Sequence, residues 1–152
     1  MSAPDKSLRV LVLHGPNMNL VGKRPKEIFG TLTLDKINRS LRKKAGTLEV
    51  ELKIFQSNAE SALITLLQRQ RNWADGLLVN PASLCFTCFS LLDTVQLVGL
   101  PTIEVHLIDT VAGRSTSESI LSVACLRQVV GPVDSAYPKA LERLVAYLRN
   151  SR

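Results

Sequence analysis

The sequence predicts an α/β domain in which helices cover both faces of a parallel β-sheet. Two observations support this fold class. Short apolar segments of strand length alternate five times with segments of helical length, and Gly, Pro or Asp residues mark the turns between them. A chain of 152 residues fits one domain, residues 1–152, and is long enough to bury a sizeable core.

Five segments have the composition of strands. Residues 10–13 form a run of branched apolar side chains that Gly15 and Pro16 stop abruptly. The second segment alternates apolar with charged residues, which is typical of a strand with one solvent-facing side. This second strand is predicted over residues 48–55. Apolar runs predict the other three strands over residues 77–79, 102–107 and 126–130.

Helical spacing and capping residues predict the segments between the strands. Thr33 is expected to cap a first helix that Gly46 ends, and Ser57, with Glu60 three residues later, to cap a second that extends to about Trp73. Further helices are predicted over residues 85–98, 119–124 and 137–149. Two polar, turn-rich stretches remain: a mobile lid over residues 17–31 and a loop over residues 109–117.

Composition narrows the range of partners. The net charge is +6 and the pI is near 9.6, but the basic residues are scattered and aromatic residues make up only 5%. No stacking platform for nucleic acid is indicated, and the positive field favours a small anionic molecule instead. No apolar run reaches membrane-spanning length and the first residues lack a signal-peptide core, so a cytoplasmic location without membrane partners is expected.

The three cysteines, Cys85, Cys88 and Cys125, do not predict a disulfide framework, because the count is odd. Cys85 and Cys88 have redox-motif spacing near a predicted helix N-terminus, a position that can lower a thiol pKa. Four-cysteine zinc binding is excluded, and only His14 and His106 could add nitrogen ligands. Buried packing is the preferred interpretation, and no metal or cofactor is expected.

Three predicted strands end in side chains that can bind ligands or transfer protons. Asn17 follows the first, Asn80 ends the third and His106 ends the fourth, and parallel strands bring their carboxyl ends to one edge of the sheet. Glu104 lies two residues before His106 and therefore shares its face. A carboxylate beside an imidazole suits a general acid, although a purely structural pair is the alternative.

Five ordered motifs resemble the type II 3-dehydroquinate dehydratase family. They are LHGPNMNLVGKR at 13–24, FQSNAE at 55–60, DGLLVNP at 75–81, PTIEVH at 101–106, and the ending over 131–141. The resemblance implies a flavodoxin-like three-layer fold with strand order 2-1-3-4-5. It also implies elimination of water from 3-dehydroquinate through an enolate, and a homo-oligomer built from trimers into a dodecamer.

The resemblance further implies roles for individual residues in that reaction. In the family, a lid tyrosine that an arginine keeps ionised removes a proton beside the ketone. An asparagine-bound water stabilises the enolate, and a histidine protonates the departing hydroxyl. By position, Arg24 resembles the arginine, Asn17 the water-holding asparagine, and His106 with Glu104 the acid pair.

Four more positions resemble the family's substrate contacts. Asn80 resembles a ligand of a ring hydroxyl, and the backbone amides of Leu107 and Ile108 resemble a cradle for the substrate carboxylate. Asp93 is similar to an acid that reaches the site of a neighbouring subunit. The implied ligand is therefore a small, anionic, cyclic carboxylate.

The chain departs from the family pattern at the lid and at one substrate contact. Phe29 stands at the tyrosine position, Phe86 at that of a second histidine, and Pro25 at that of a lid acid. Where the family has an arginine-rich stretch, this chain has AGRSTS at 112–117. Ser117 occupies one expected arginine position, and Arg114, three residues earlier, is a candidate substitute. These departures predict a homologue whose dehydratase activity is lost or strongly reduced.

Three alternatives stay open from sequence alone. The chain is an active dehydratase that recruits another base, or a non-catalytic binder of a cyclic carboxylate or assembly scaffold, or a thiol redox protein acting through Cys85 and Cys88.

Overall fold

In a computed structural model that describes residues 6–151, a five-stranded parallel sheet forms the centre of the molecule. Its strands are β1 (Arg9–His14), β2 (Glu51–Gln56), β3 (Gly76–Asn80), β4 (Thr102–His106) and β7 (Arg127–Val130). Their spatial order is β2-β1-β3-β4-β7. Counted within this sheet alone, that order is 2-1-3-4-5, and the flavodoxin-like α/β prediction is confirmed.

Helices cover both faces of the sheet. The helices are α1 (Lys26–Phe29), α2 (Leu34–Leu48), α3 (Glu60–Gln70), α4 (Phe89–Val98) and α5 (Ala136–Asn150). Short 3₁₀ segments lie at Met18–Lys23, Ala82–Phe86, Thr116–Glu118 and Leu121–Ala124. A small antiparallel hairpin, β5 (Thr110–Val111) and β6 (Arg114–Ser115), follows β4 outside the main sheet.

The strands divide the apolar residues into two cores because successive side chains point to opposite faces. In β1, Val10 and Val12 join the core under α2 and α5, whereas Leu11 and Leu13 join the core under α3 and α4. All four are fully buried. A strand buried on both faces is the reason that residues 10–13 are continuously apolar.

The C-terminal end of α2 differs from the sequence prediction because Glu49, not Gly46, ends the helix. Thr33 does cap α2, accepting from Lys36 N at 3.2 Å, but the helix runs past Gly46. Glu49 ends it in the left-handed region, its N–H donating to the carbonyls of Ala45 and Gly46.

The second helix begins later and ends earlier than the sequence predicts. It covers Glu60–Gln70, starts after Ala59 and does not reach Trp73. Ser57 forms a turn instead of a helix cap, since its hydroxyl accepts from Ala59 N at 3.0 Å.

Four other predicted segments also differ from the structure in their extent or type. The helix predicted over residues 85–98 is two pieces, a 3₁₀ segment and α4, and the one predicted over 119–124 is the 3₁₀ turn Leu121–Ala124. The loop over 109–117 contains the β5–β6 hairpin, and the lid over 17–31 contains a 3₁₀ segment and α1. None of the helices in residues 6–151 is both long and apolar enough to cross a membrane.

Candidate active site

A cavity of about 310 Å³ opens at the carboxyl ends of β1, β3 and β4. The three polar residues that the sequence places at this edge, Asn17, Asn80 and His106, all line it. Crevices at this edge are the usual ligand sites of open α/β sheets. The rest of the wall comes from the lid, the loop after β3 and the hairpin: Met18, Val21, Arg24, Pro25, Ile28, Phe29, Ala82, Leu107, Ile108, Thr110, Val111, Ala112 and Gly113.

The loop after β1 reaches the cavity by packing tightly against the loop after β3. A Cβ atom on Gly15 would lie 2.5 Å from the carbonyl oxygen of Pro81, so only glycine fits there. Asn17 then adopts a left-handed conformation with φ of 67°, and its backbone N–H donates to Asn58 Oδ1 at 3.0 Å. These contacts hold the exposed side chain of Asn17 at the cavity wall.

Glu104 and His106 form a closely paired, buried dyad on β4. Nε2 of His106 donates to Oε2 of Glu104 at 2.6 Å, and both residues are at most 1% exposed. The other carboxylate oxygen accepts from the hydroxyl of Ser122 at 2.9 Å. Burial alone would raise the pKa of Glu104, but hydrogen bonds from His106, Ser119 and Ser122 and the charge of His106 hold that pKa below its usual value. The ionised carboxylate orients the imidazole at the cavity, as a positioned acid requires.

Asn80 is the end of a chain of hydrogen bonds that runs away from the cavity. Its Oδ1 accepts from Ala82 N at 3.0 Å, and its Nδ2 donates to the hydroxyl of Tyr137 at 2.9 Å. The remaining N–H points to the thioether of Met18, with 3.3 Å between Nδ2 and Sδ. Because a thioether is a weak acceptor, this N–H is the one that an oxygen of a ligand can capture.

The chain continues from Tyr137 to His14 and fixes the protonation of that histidine. Asn38 Oδ1, 2.9 Å from His14 Nε2, accepts, so Nε2 carries the proton. Nδ1 then accepts from the Tyr137 hydroxyl at 3.0 Å. Burial lowers the pKa of His14 to about 4, although the hydrogen bond to Asn38 opposes this. Asn38 and this role of Tyr137 could not be predicted from the sequence, because nothing along the chain indicates that positions 14, 38 and 137 meet.

The lid places Arg24 and Phe29 in the cavity wall. Arg24 is exposed, immediately after the 3₁₀ segment, whereas the ring of Phe29 is half-buried and packs against the core under α2 and α5. The side chain at position 29 is therefore a hydrocarbon ring with no ionisable oxygen.

Phe86 and Arg114 contact each other outside the residues that line the cavity. The guanidinium carbon of Arg114 lies 5.0 Å from the centroid of the Phe86 ring, a cation–π contact that ties the hairpin to the segment after β3. Arg114 also approaches Glu118, with 3.6 Å between Nη2 and Oε1. That Arg114 substitutes for a substrate-contacting arginine stays a prediction. Asp93 lies exposed on α4, and Ser117 is also exposed; neither lines the cavity.

The cysteines do not have the acidic thiols that a helix N-terminus can produce. Burial raises the pKa of Cys85 to about 11 and that of Cys125 to about 12, and burial also raises the pKa of Cys88. Cys85 and Cys88 are almost completely buried. Within residues 6–151, one group of side chains has metal-ligand character: Cys85 with Glu104 and His106, whose ligand atoms lie within 4.8 Å of one another.

Comparison with known proteins agrees with this geometry. Residues 8–145 match the model of the family described as dehydroquinase class II. The chain is 38% identical to the 3-dehydroquinate dehydratase of Gloeobacter violaceus over 94% of this chain and 90% of that one. It is likewise 38% identical to the same-named protein of Dictyoglomus turgidum, over 92% and 97% of the two chains.

Among solved structures, the type II dehydroquinase of Butyrivibrio crossotus superposes with a TM-score of 0.84 at 27% identity, covering 91% of this chain and 97% of that one. The chain belongs to the dehydroquinase class II family.

Proposed function

We propose that this protein binds a small cyclic carboxylate of the dehydroquinate type but has lost, or strongly reduced, the dehydratase activity of its family. The observation that carries the proposal is Phe29 in the cavity wall, where the family resemblance requires an ionisable tyrosine. The family reaction begins with removal of a proton beside the ketone. A phenyl ring cannot accept that proton.

The binding half of the site is supported by its polar groups. Leu107 and Ile108 follow β4 directly and line the cavity, which supports their backbone amides as the proposed cradle for a carboxylate. Arg24 adds a positive charge to the same wall. The Asn80 N–H that faces Met18 is free to exchange that weak acceptor for a ring hydroxyl.

The positions of His106 and Glu104 support the proposed acid half of the reaction. His106 lines the cavity while Glu104 fixes its orientation, so a protonated His106 can deliver a proton to a departing hydroxyl. Asn17, exposed at the same wall, is the proposed holder of the water that contacts the enolate oxygen. These roles require a base to act first.

The rival proposal, an active dehydratase with a different base, is not supported by the two candidate bases His14 and Cys85. Both nitrogens of His14 are occupied, and its low pKa makes it a weak base. Cys85 has a pKa of about 11 and is protonated at neutral pH. Neither residue lines the cavity.

Calorimetric titration with quinate tests the binding proposal without depending on turnover. We expect wild-type protein to give heat of binding, and Arg24→Gln to weaken the affinity about tenfold through loss of a charge-assisted hydrogen bond. Arg69→Gln on α3 removes a charge of the same sign away from the cavity and should bind like wild type. Folded wild-type protein that gives no heat at millimolar quinate would overturn the proposal.

We also propose that the chain forms a homo-oligomer, with the trimer-based dodecamer as the expected form. Large apolar side chains on and beside α4 support assembly, since Phe89, Leu97 and Val123 are each at least 66% exposed. Light scattering tests this directly, and a monomer at micromolar concentration would reject it.

A further inference from the structure

We infer that Cys85, Glu104 and His106 form a binding site for a transition-metal cation of the zinc class beside the cavity. The thiol, carboxylate and imidazole ligand atoms lie within 4.8 Å of one another, and all three residues are buried. This inference does not rest on the proposed carboxylate binding. It adds a second ligand to the molecule.

The donor set matches the ligand preferences of zinc. Zn²⁺ is bound by cysteine sulfur, histidine nitrogen and carboxylate oxygen, and sites with three protein ligands keep a fourth position for water or substrate. Magnesium and calcium prefer oxygen ligands, so the thiol and imidazole select against them. Because His106 lines the cavity, a molecule in the cavity is the candidate for the fourth ligand.

The three ligands lie on well-anchored segments. Glu104 and His106 share one face of β4, in the interior of the sheet between β3 and β7. Cys85 lies in the 3₁₀ segment after β3, where its carbonyl accepts from Ile120 N at 2.7 Å. Ser122 donates to the Glu104 oxygen that His106 does not contact, and therefore orients the carboxylate from behind.

Metal binding requires a small rearrangement of the three ligand atoms and a defined proton loss. Tetrahedral zinc, with bonds of roughly 2.0 Å to nitrogen and oxygen and 2.3 Å to sulfur, holds its ligand atoms about 3.2–3.7 Å apart. The sulfur therefore approaches the other two ligand atoms by up to about 1 Å, whereas the His106 nitrogen and the Glu104 oxygen move apart by about 0.6 Å as the cation replaces their 2.6 Å hydrogen bond. The Cys85 thiol releases one proton, and the proton of the neutral His106 ring moves from Nε2 to Nδ1. The resulting thiolate and the carboxylate neutralise the two positive charges.

Metal and acid chemistry exclude each other at this site. A cation that bonds to His106 occupies a nitrogen of the residue proposed to protonate the leaving hydroxyl. We therefore expect zinc to inhibit any dehydratase turnover, in wild-type protein or in a variant that regains the base. The Cys85 thiol supplies the third metal ligand, a sulfur atom, beside the carboxylate of Glu104 and the imidazole of His106.

Titration with Co²⁺, a spectroscopic substitute for Zn²⁺, tests the site in metal-free protein without any carboxylate present. We expect a near-ultraviolet charge-transfer band from the cobalt-bound thiolate, one proton released per metal, and loss of the band when Zn²⁺ is added. Cys85→Ser should abolish the band. Cys88→Ser and Cys125→Ser are matched controls, because they remove thiols outside the cluster and should keep it.

A change at Ser122, which contacts a ligand but is not one itself, distinguishes a three-ligand metal site from cobalt bound by the Cys85 thiol alone. Ser122→Ala leaves all three ligands in place but removes the hydrogen bond that orients Glu104, so we expect about 10–100-fold weaker zinc affinity in a chelator competition. The inference is overturned if folded wild-type protein, checked by circular dichroism, shows no cobalt–thiolate band. It is also overturned if Cys85→Ser retains the band. Quinate calorimetry in the presence of a chelator is independent of either result.

Discussion

At residue 29, the chain has a phenylalanine where the family resemblance implies a tyrosine, and the proposed loss of activity depends mainly on that missing oxygen atom. The ring of Phe29 lines the cavity wall and packs against the core under α2 and α5. Only the ionisable group is absent. Losing a positioned base typically reduces a rate by about 10²–10⁴.

His14 shows the opposite case, a titratable residue at the edge of the site that the fold has made structural. The hydrogen bond that His14 donates to Asn38 and the one that it accepts from Tyr137 occupy both ring nitrogens, and the side chain is fully buried. Its position at the carboxyl end of β1, directly before Gly15, is one where a functional residue is expected. Burial instead keeps the ring neutral.

The low pKa of His14 predicts a loss of stability in acid. The unfolded chain takes up the proton near pH 6.5, whereas the folded protein takes it up only near pH 4, so stability falls as the pH drops between these values. The full effect is roughly 3 kcal/mol, from 1.36 kcal/mol per unit of pKa difference. Urea unfolding from pH 7 to pH 4 measures it.

The variant His14→Gln provides the control, because it removes this titration while keeping a polar side chain. Its free energy of unfolding should fall less steeply between pH 6.5 and pH 4 than that of wild type. Parallel curves for the two proteins would contradict the assignment. So would an NMR titration of His14 in the folded protein that shows a midpoint near 6.5.

At the scale of elements, the segment after β3 carries backbone strain at the cavity. Ala82 has φ of 51°, in the left-handed region that favours glycine, and its N–H donates to Asn80 Oδ1. Ala112, in the turn of the hairpin, has φ of 49° and also lines the cavity. Strained non-glycine residues tend to concentrate at functional sites.

Replacing Ala82 with glycine should therefore stabilise the protein. Relief of the left-handed strain, about 1–2 kcal/mol, outweighs the extra flexibility of glycine in the unfolded chain, about 0.5–1 kcal/mol. We expect a net gain of about 0.5–1 kcal/mol in urea unfolding. The same change at Ala146, exposed within α5, should instead cost about 1 kcal/mol, and equal losses at both positions would contradict the strain argument.

The order and type of the main elements could be predicted from the sequence, but several of their ends could not. The buried strands β1 and β3 are continuous apolar runs, which local composition reveals. Ser57 has the spacing of a helix cap with Glu60, yet its hydroxyl closes a turn with Ala59, and Asn58 beside it accepts from Asn17. Caps depend on such contacts between distant segments, which a local pattern does not contain.

At the scale of the whole molecule, the sheet order explains why the site could be located from sequence. Parallel strands β1, β3 and β4 are neighbours, so the residues that follow them meet at one edge. This geometry brings Asn17, Asn80 and His106 to one cavity although 89 positions separate the first from the last. The hydrogen-bond chain through Tyr137 and the Cys85 cluster required the three-dimensional structure, because they join α2, α5 and the segment after β3 to those strands.

The most direct test of the central claim is a turnover assay with 3-dehydroquinate on three proteins: wild type, Phe29→Tyr, and the double variant Phe29→Tyr with Phe86→His. Product formation is followed by the ultraviolet absorbance of the conjugated acid at high protein concentration. We predict little or no product from wild type and a rise of up to about 10²–10⁴-fold in the variants as the base returns. Ordinary turnover by wild type, or no gain in a folded double variant that binds quinate, would contradict the account.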